Sequence, residues 1–450
     1  MSSYPFRIDE HTLECQHIRG YHRATAHSQE EVLHLAIKQY TPLNNTDPKP
    51  GDLTIIGAHA NGFPKELYEP LWEEMLHRSA VSGVRIRSIW IADVAQQGAS
   101  GVLNEGKLGN DPSWMDHPRD LLHMINTFRA QMPMPLVGVG HSMGGNNLVN
   151  LSLMHPRLFE TLILIDPVIQ LGTSPLGNFA PAVASSRRRD RWPSRAAAAE
   201  AFSRSKFYQS WDPRVLERWI QHGLRELPTK LYPSPSTPGG PSRSTAAAPE
   251  VTLSTTKHQE VFTFLRPNFR TDISPSNPQA PDLIVSPDGR QDRETHPDFD
   301  LRSDRNYSFY RPEPISTFHQ LPFLRPSVLY VFGETSYLSN PDFRRGKMEV
   351  TGTGVGGSGG AKEGRVKEVV VEGVGHLIPM EAVRKTAVLG TEWIAAEMTR
   401  YRAREDRMKK EWEAVPDNGK GRLSEAYLTV LQGAGMGLGK EDTKGGKAKL

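Results

Sequence analysis

The feature that most constrains the fold is a short glycine-rich turn between an apolar run and a segment suited to a helix. The turn is GHSMG, Gly140–Gly144, and it follows the apolar run Leu136–Val139. A G-x-S-x-G turn in this setting forms a nucleophile elbow, in which a strained backbone lifts the serine above the edge of a sheet. Glycine is needed on both sides because a Cβ atom there would collide where strand and helix cross. The pattern therefore predicts Ser142 as a catalytic nucleophile rather than as part of a structural turn.

Around this turn, short apolar runs alternate with segments of helical pattern. The runs are rich in Val, Ile and Leu and lack polar alternation, which is typical of strands buried on both faces of a parallel sheet. The alternation predicts an α/β fold with a mostly parallel sheet flanked by helices. The run Val32–Tyr40 does alternate and suits an antiparallel edge strand. We predict strands at Leu53–Gly57, Val84–Ile91, Leu136–Val139, Thr161–Ile165, Ser327–Phe332 and Val366–Val371, and helices at Glu66–Arg78, Asp116–Gln131, Asn146–His155 and Glu381–Arg400.

The alternation stops in the middle of the chain, where predicted helices are mixed with stretches rich in Pro, Ser, Thr and charge. These helices are predicted at Arg195–Tyr208, Asp212–Glu226 and Thr256–Leu265. Such stretches lack the apolar side chains of a packed core and are typical of disorder. We predict disorder at 233–249 and 271–302 and a flexible loop at the glycine-rich segment 352–364. The predicted parts of the chain are a first core segment at 1–169, an inserted helical lid at 170–326, a second core segment at 327–400 and a charged tail at 401–450.

The candidate base for the serine is His376. A serine hydroxyl is a poor nucleophile until a base accepts its proton. Residues Val369–Pro379 read VVVEGVGHLIP, an apolar run followed by a glycine turn and then the histidine. The chain order serine, acid, histidine places the base after the last strand, where it can reach the nucleophile. We predict His376 as the general base rather than as a surface histidine.

Two carboxylates are candidates for the acid that orients this base. Asp166 directly follows the apolar run TLILI, where an unpaired carboxylate would be costly. Glu334 follows the run SVLYVF, but the position just beyond it, where the acid more commonly lies, holds Ser336. Asp166 is the predicted acid with Glu334 in reserve, and a role of Asp166 as a helix or turn cap is the alternative.

The oxyanion hole requires two backbone N–H donors. One is predicted to come from Met143, the residue after the nucleophile. The other is predicted to come from Asn61, in the loop GAHANGFP that follows the run LTIIG. His59 is expected to brace this loop, and His141 to pack or hydrogen-bond locally.

The composition and the remaining motifs argue against several classes of protein, including nucleic-acid-binding, membrane-spanning and metal- or dinucleotide-dependent proteins. The 54 Lys and Arg residues nearly balance the 51 Asp and Glu residues, and the net charge of +3 gives no electrostatic case for a nucleic-acid partner. No transmembrane segment is expected, because no run approaches the ~18 apolar residues of a spanning helix. The lone Cys15 excludes an intrachain disulfide and fits an intracellular protein. No Cys/His cluster suggests a metal, and the G-x-G-x-x-G match at Gly354–Gly359 precedes a strand, so no cofactor is expected.

Four stretches resemble the fungal peroxisomal branch of the α/β-hydrolase superfamily. That branch includes a peroxisomal lipase-like hydrolase of yeast and hydrolases of fungal toxin and mycophenolic acid biosynthesis, one of them an acyl-CoA thioesterase. The resemblance implies an α/β-hydrolase fold with the acid at the position of Asp166. It covers about residues 53–175 and 327–400 and is faint across the lid. The stretches are HANGFPKELYEPLW, KLGNDPSWMDHPRDLLHM, GHSMGGNNLVNLSLMHPRLFETLILIDPVI and GVGHLIPMEA.

The combined prediction is a serine hydrolase that cleaves carboxylic ester or acyl thioester bonds through the predicted triad. Its substrate is a small-molecule acyl ester or thioester, with Phe63, Phe207 and Trp211 predicted as substrate-binding residues. The alternatives are lactone or C–C hydrolysis on the same triad, or a non-catalytic interaction protein. The run Arg187–Arg189 is either a contact for coenzyme A phosphates or a solvated face.

The last three residues, Ala448-Lys449-Leu450, are a conservative variant of the S-K-L peroxisomal address. The import receptor reads a small residue, a cation and a free C-terminal leucine. We therefore predict the peroxisomal import receptor as a partner of this C-terminus and the peroxisomal matrix as the location.

Overall fold

The structure is a computed structural model that describes residues 4–172, 175–233, 248–271, 274–278, 293–300 and 307–438. The chain divides into two compact units, Met1–Glu397 and Met398–Leu450. Among the described residues, no helix is both long enough and apolar enough to cross a lipid bilayer. The strands are β1 (Phe6–Glu14), β2 (His34–Pro42), β3 (Leu53–Ala58), β4 (Ile86–Ala92), β5 (Leu136–His141), β6 (Thr161–Ile165), β7 (Arg191–Trp192), β8 (Leu224–Glu226), β9 (Val251–Leu253), β10 (Arg266–Pro267), β11 (Phe309–Tyr310), β12 (Ser327–Gly333) and β13 (Val366–Val371).

An eight-stranded sheet forms the centre of the larger unit, in the order β1-β2-β4-β3-β5-β6-β12-β13. Only β2 runs antiparallel to its neighbours, and the remaining pairs are parallel. The predicted mostly parallel α/β sheet is therefore confirmed. The helices are α1 (Glu69–Val81), α2 (Gly98–Leu103), α3 (Asp116–Thr127), α4 (Met143–Met154), α5 (Ala180–Arg187), α6 (Arg195–Arg204), α7 (Lys206–Gln209), α8 (Pro213–His222), α9 (Lys257–Phe264), α10 (Glu313–Gln320), α11 (Pro341–Val350), α12 (Ile378–Glu381), α13 (Val383–Glu413) and α14 (Glu425–Leu438).

The central strands β3, β5 and β6 are buried along their whole length, as their unbroken apolar sequences predict. β1 has no such signal, because most of its residues are polar and its exposed and half-buried positions alternate at the sheet edge. Since β5, β6, β12 and β13 are parallel neighbours, the residues that follow them meet at one edge of the sheet.

The inserted segment contains helices α5 to α10 together with two small sheets, β7-β9-β8 and β10-β11. The helix predicted to reach Glu226 ends at His222, because the chain continues as β8 and pairs with β9. Residues 234–247 and much of 271–302, predicted as disordered, lie outside the described residues. Where the second stretch is described, Asp298 accepts a hydrogen bond from Arg266 at 2.7 Å and Phe299 is buried. This part packs, contrary to the prediction.

The glycine-rich segment 352–364 is a packed loop rather than a flexible one. The N–H groups of Gly352 and Gly354 donate to the carbonyl oxygens of Leu321 and Pro322, at 2.8 and 2.7 Å. Glycine serves here to let two backbones approach closely, since a Cβ atom on Gly357 would lie 2.5 Å from the same Pro322 oxygen.

Candidate active site

Ser142 lies at the sharp turn between β5 and α4. Its backbone has φ 57° and ψ −118°, a left-handed conformation that non-glycine residues rarely adopt. The turn is held by a hydrogen bond from the Ser142 N–H to the Ile165 carbonyl oxygen at 2.9 Å. The side chain is 6% exposed at the carboxyl edge of the sheet.

The glycines around Ser142 are required by contact with backbone. A Cβ atom on Gly140 would lie 2.6 Å from the carbonyl oxygen of Gly144. One on Gly144 would lie 2.1 Å from the carbonyl oxygen of Ala58 at the end of β3. Neither backbone atom can move aside as a flexible side chain could, so the local sequence pattern follows from the crossing of strand and helix.

His376 lies on the loop after β13 and contacts both other predicted triad members. Its Nε2 is 2.9 Å from Ser142 Oγ, and its Nδ1 is 2.6 Å from Asp166 Oδ2. Because a carboxylate only accepts hydrogen bonds, Nδ1 carries the proton and Nε2 is left to accept one from the serine hydroxyl. This arrangement leaves the imidazole able to act as a base toward Ser142.

Asp166, directly after β6, is fully buried and has a positive φ of 42°. Its Oδ2 accepts a hydrogen bond from the Ser336 hydroxyl as well as from His376. Glu334, the reserve acid, is exposed, and its Oε2 accepts the N–H of Gly373 at 2.8 Å. The structure therefore brings Asp166, and not Glu334, to the histidine.

The loop after β3 contains an N–H group, that of Asn61, which is available to an oxyanion. The Ala60 N–H donates to Tyr68 Oη at 2.8 Å, the Gly62 N–H to Gln97 Oε1 at 2.8 Å, and the Phe63 N–H to the Ala60 carbonyl oxygen. Within the part of the chain that the structure describes, the Asn61 N–H has no acceptor. Asn61 thus keeps the backbone donor that the prediction assigns to the oxyanion hole.

Two buried histidines next to the site are neutral and structural. Burial lowers the pKa of both His59 and His141. His59 donates from Nδ1 to the Ala60 carbonyl oxygen and accepts the Val94 N–H at Nε2, so it braces the loop as expected. His141 accepts from the Tyr68 hydroxyl at 2.9 Å and donates to the His376 carbonyl oxygen at 2.9 Å.

Tyr68, Gln97 and Ser336 are site residues whose roles the sequence patterns did not indicate. Tyr68 joins the loop after β3 to His141, and through it to the backbone of His376. Ser336 holds the acid from the position where the acid itself more commonly lies. Each acts through a contact between distant parts of the chain, for which the sequence carries no local pattern.

The predicted substrate-binding residues differ in burial. The rings of Phe63 and Trp211 meet edge to face at 5.7 Å, and Trp211 is 4% exposed. Phe207 is 52% exposed and contacts Trp211 from the outside, at 5.7 Å. In the nearby arginine run, Arg188 pairs with the buried Glu260 at 2.9 Å, so its charge is already compensated.

The described residues contain no group suited to bind a metal ion, and they do not include the C-terminus. Among the residues described, no cluster of His, Cys, Asp and Glu is suited to a metal ion. The predicted targeting residues Ala448, Lys449 and Leu450 lie outside the described residues.

Comparison with known proteins identifies relatives that match the whole chain. The chain is 43% identical over 458 residues to the type I acyl-CoA thioesterase mpaH of Penicillium roqueforti, covering 99% of each. It is also 43% identical over 454 residues to mpaH' of Penicillium brevicompactum, covering 99% of this chain and 100% of the relative. The family model described as "Serine aminopeptidase, S33" (Hydrolase_4) matches residues 88–222.

Among solved structures, the peroxisomal alpha-beta-hydrolase Lpx1 of Saccharomyces cerevisiae has a TM-score of 0.61. The match covers 98% of this chain and 99% of that one at 15% identity, so the likeness is one of fold. Together with the family and the relatives, it confirms the α/β-hydrolase fold that the sequence resemblance implies.

Proposed function

This chain belongs to the α/β-hydrolase family of the Penicillium acyl-CoA thioesterases and is an ester or thioester hydrolase, and from that premise we propose that it hydrolyses acyl-coenzyme A thioesters through Ser142, His376 and Asp166. The observation that carries the proposal is the hydrogen-bonded series from Ser142 Oγ through both imidazole nitrogens to Asp166. It has the geometry of a nucleophile, a base and an orienting acid.

In the first half of the proposed reaction, Ser142 Oγ attacks the thioester carbonyl carbon while His376 Nε2 accepts the hydroxyl proton. The oxyanion that forms accepts hydrogen bonds from the N–H groups of Met143 and Asn61. When the C–S bond breaks, the imidazolium returns the proton to the sulfur and the thiol leaves. An acyl ester on Ser142 remains.

In the second half, water attacks the acyl ester and His376 accepts one of its protons. Collapse of this second tetrahedral intermediate breaks the ester bond, returns the proton to Ser142 and releases the carboxylic acid. Asp166 keeps the Nδ1 proton in place and stabilises the imidazolium in both halves. The acyl chain is proposed to contact Phe63 and Trp211, with Phe207 at the outer margin.

The decisive experiment compares the native chain with Ser142→Ala. A fluorophosphonate probe should label the native chain and fail to label the variant, because the probe reacts with an activated serine hydroxyl. Release of free thiol from long-chain acyl-CoA should fall by at least about 10³-fold in the variant. Equal labelling of both proteins, or undiminished thiol release, would reject the proposal.

The location is also a proposal. Where Leu450 carries the free carboxylate, Ala448-Lys449-Leu450 is suited to the peroxisomal import receptor. A fluorescent protein fused to the N-terminus should collect in peroxisomes, and adding two residues after Leu450 should leave it in the cytosol. Peroxisomal import of the extended chain would refute the role of these residues.

A further inference from the structure

A buried glutamine, Gln97, lies between the loop after β3 and helix α9 of the inserted segment. It is the residue immediately before helix α2, in the loop that follows β4, and it is 0% exposed. Its Oε1 accepts the Gly62 N–H at 2.8 Å. Its Nε2 donates to Asn61 Oδ1 at 2.5 Å and to Thr263 Oγ1 at 3.1 Å. One side chain thus holds two consecutive residues of the loop and one residue of α9.

The partners of Gln97 permit only one orientation of its amide. Asn61 Nδ2 donates to the Glu260 carbonyl oxygen at 3.0 Å, so Asn61 presents its Oδ1 to Gln97 as an acceptor. The Thr263 hydroxyl donates to the Gln259 carbonyl oxygen at 2.8 Å, so it too can only accept from Gln97. The Gln97 amide nitrogen thus donates to two acceptors while its oxygen accepts the Gly62 N–H, and a buried network of this kind is rigid only while it is complete.

Helix α9 also contacts the backbone of the loop directly. Gly62 has φ +84°, and a Cβ atom at this position would lie 2.8 Å from the carboxyl carbon of Glu260. The loop is therefore contacted both by Gln97 and by the inserted helix. The Asn61 side chain makes both contacts, and the N–H of the same residue has no acceptor among the described residues.

We infer that Gln97 is a positioning residue for the oxyanion hole and that it links the hole to Thr263 of α9, so that the inserted segment sets the geometry of catalysis as well as covering the substrate. The inference rests on the proposed role of the Asn61 N–H. A donor to an oxyanion must be aimed before the reaction, because its contribution depends on not having to reorganise as charge develops.

The test is Gln97→Glu, which keeps the shape and the acceptor for the Gly62 N–H but removes the donor to Asn61 and Thr263. We expect kcat for acyl-CoA hydrolysis to fall about 10- to 100-fold, with KM changed by less than about threefold, because the affected contact forms in the transition state. Gln96→Glu is the matched control. Gln96 reaches Thr263 at 3.3 Å but not the loop, and kcat should stay within about twofold.

A second variant tests the inserted segment itself and covers the case in which Gln97→Glu does not fold. Thr263→Val should lower kcat about fivefold at unchanged KM, and Thr263→Ser should restore it, since serine keeps the accepting hydroxyl. If folded Gln97→Glu, or Thr263→Val, has native kcat while Ser142→Ala is inactive, the inference fails and the proposed function stands. If Ser142→Ala retains turnover, the proposed function fails first.

Discussion

The elbow around Ser142 and the inserted segment both contribute to the proposed site, but they do so by different physical means. At the elbow the geometry is set by the backbone. Ser142 has a positive φ, and Gly144 packs directly on the Ala58 carbonyl oxygen. In the inserted segment it is set by side chains, through amide and hydroxyl contacts such as Gln97 to Thr263. A backbone constraint restricts which residue types fit, whereas a side-chain contact depends on two positions that are far apart in the chain.

The largest effect expected in the sheet domain is that of Asp166→Asn. An amide at this position can present an N–H to His376 and favour the wrong tautomer, so kcat should fall about 10³- to 10⁴-fold. Steady-state thiol release at pH 7.5 measures it. Glu334→Gln is the control, and its kcat should change by less than about twofold because Glu334 is exposed and contacts the Gly373 N–H instead. A large loss in Glu334→Gln with a small one in Asp166→Asn would reverse the choice of acid.

Gly144→Ala and Gly172→Ala compare the two regions directly. The first places a Cβ atom 2.1 Å from a carbonyl oxygen. The second places one where, apart from its chain neighbours, no atom of the described residues lies within 4 Å. We expect the first to lower the free energy of unfolding by at least about 3 kcal/mol, because backbone on both sides cannot yield. The second should change it by less than about 0.5 kcal/mol. Urea denaturation followed by tryptophan fluorescence measures the free energy of unfolding of both variants. Equal losses would contradict the claim that backbone contacts restrict the elbow more than the start of the inserted segment.

A third comparison concerns two buried or half-buried cations, Lys347 and Arg188. Replacing each by methionine should change the free energy of unfolding in opposite directions. Lys347 on α11 is 1% exposed, its Nζ lies 5.6 Å from the centre of the Phe332 ring, and it donates a hydrogen bond to the neutral Phe343 carbonyl oxygen at 3.3 Å. Burial lowers the pKa of Lys347 to about 8. Since the unfolded chain then binds more protons, stability should rise with pH between about 8 and the ordinary lysine pKa of about 10.4.

Lys347→Met should therefore raise the free energy of unfolding at pH 7 by about 3 kcal/mol and flatten its rise with pH. Arg188→Met, in the inserted segment, should lower it by about 1–3 kcal/mol because the buried Glu260 carboxylate loses its partner. Denaturation of both variants at pH 7 and 9.5 tests the pair. A destabilised Lys347→Met variant would mean that its ammonium is better compensated than its surroundings indicate.

The difference between the regions also explains which parts could be predicted from the sequence. The core strands carry unbroken apolar runs, and the elbow requires glycine at fixed spacing, so both leave local patterns. Asp166 could be predicted because it directly follows a buried strand, and His376 because it follows a glycine turn after the last one. Each of these signals lies within a single short stretch of the chain and can therefore be read without knowing which other stretch it contacts.

Elements defined by pairing between distant stretches could not be predicted in this way. β1 is polar because it is an edge strand, and its partner decides its conformation. The sequence predicts β8 as the end of a helix, since three residues carry too little pattern to indicate a pairing with β9. The contacts of Gln97 with Asn61 and Thr263 join positions 36 and 166 residues away. No periodicity or spacing in the sequence could indicate them.

The smallest effect is expected for the proposed acyl wall, where burial should decide between two aromatic residues. Trp211→Ala should lower kcat/KM for long-chain acyl-CoA about tenfold relative to acetyl-CoA, because only a long chain reaches the ring that packs on Phe63. Phe207→Ala should lower the same ratio by less than about twofold, since half of this side chain already faces solvent.

The useful measurement is the ratio of kcat/KM for long-chain acyl-CoA to kcat/KM for acetyl-CoA. A general loss of folded enzyme lowers both values equally and leaves this ratio unchanged. A change in the ratio therefore reports contact with the chain and not stability. If Trp211→Ala lowers both rates alike, the aromatic cluster supports the fold of the inserted segment and the acyl chain binds elsewhere. If Phe207→Ala has the larger effect, the acyl chain passes along the outer face of the cluster, where the side chain is more exposed.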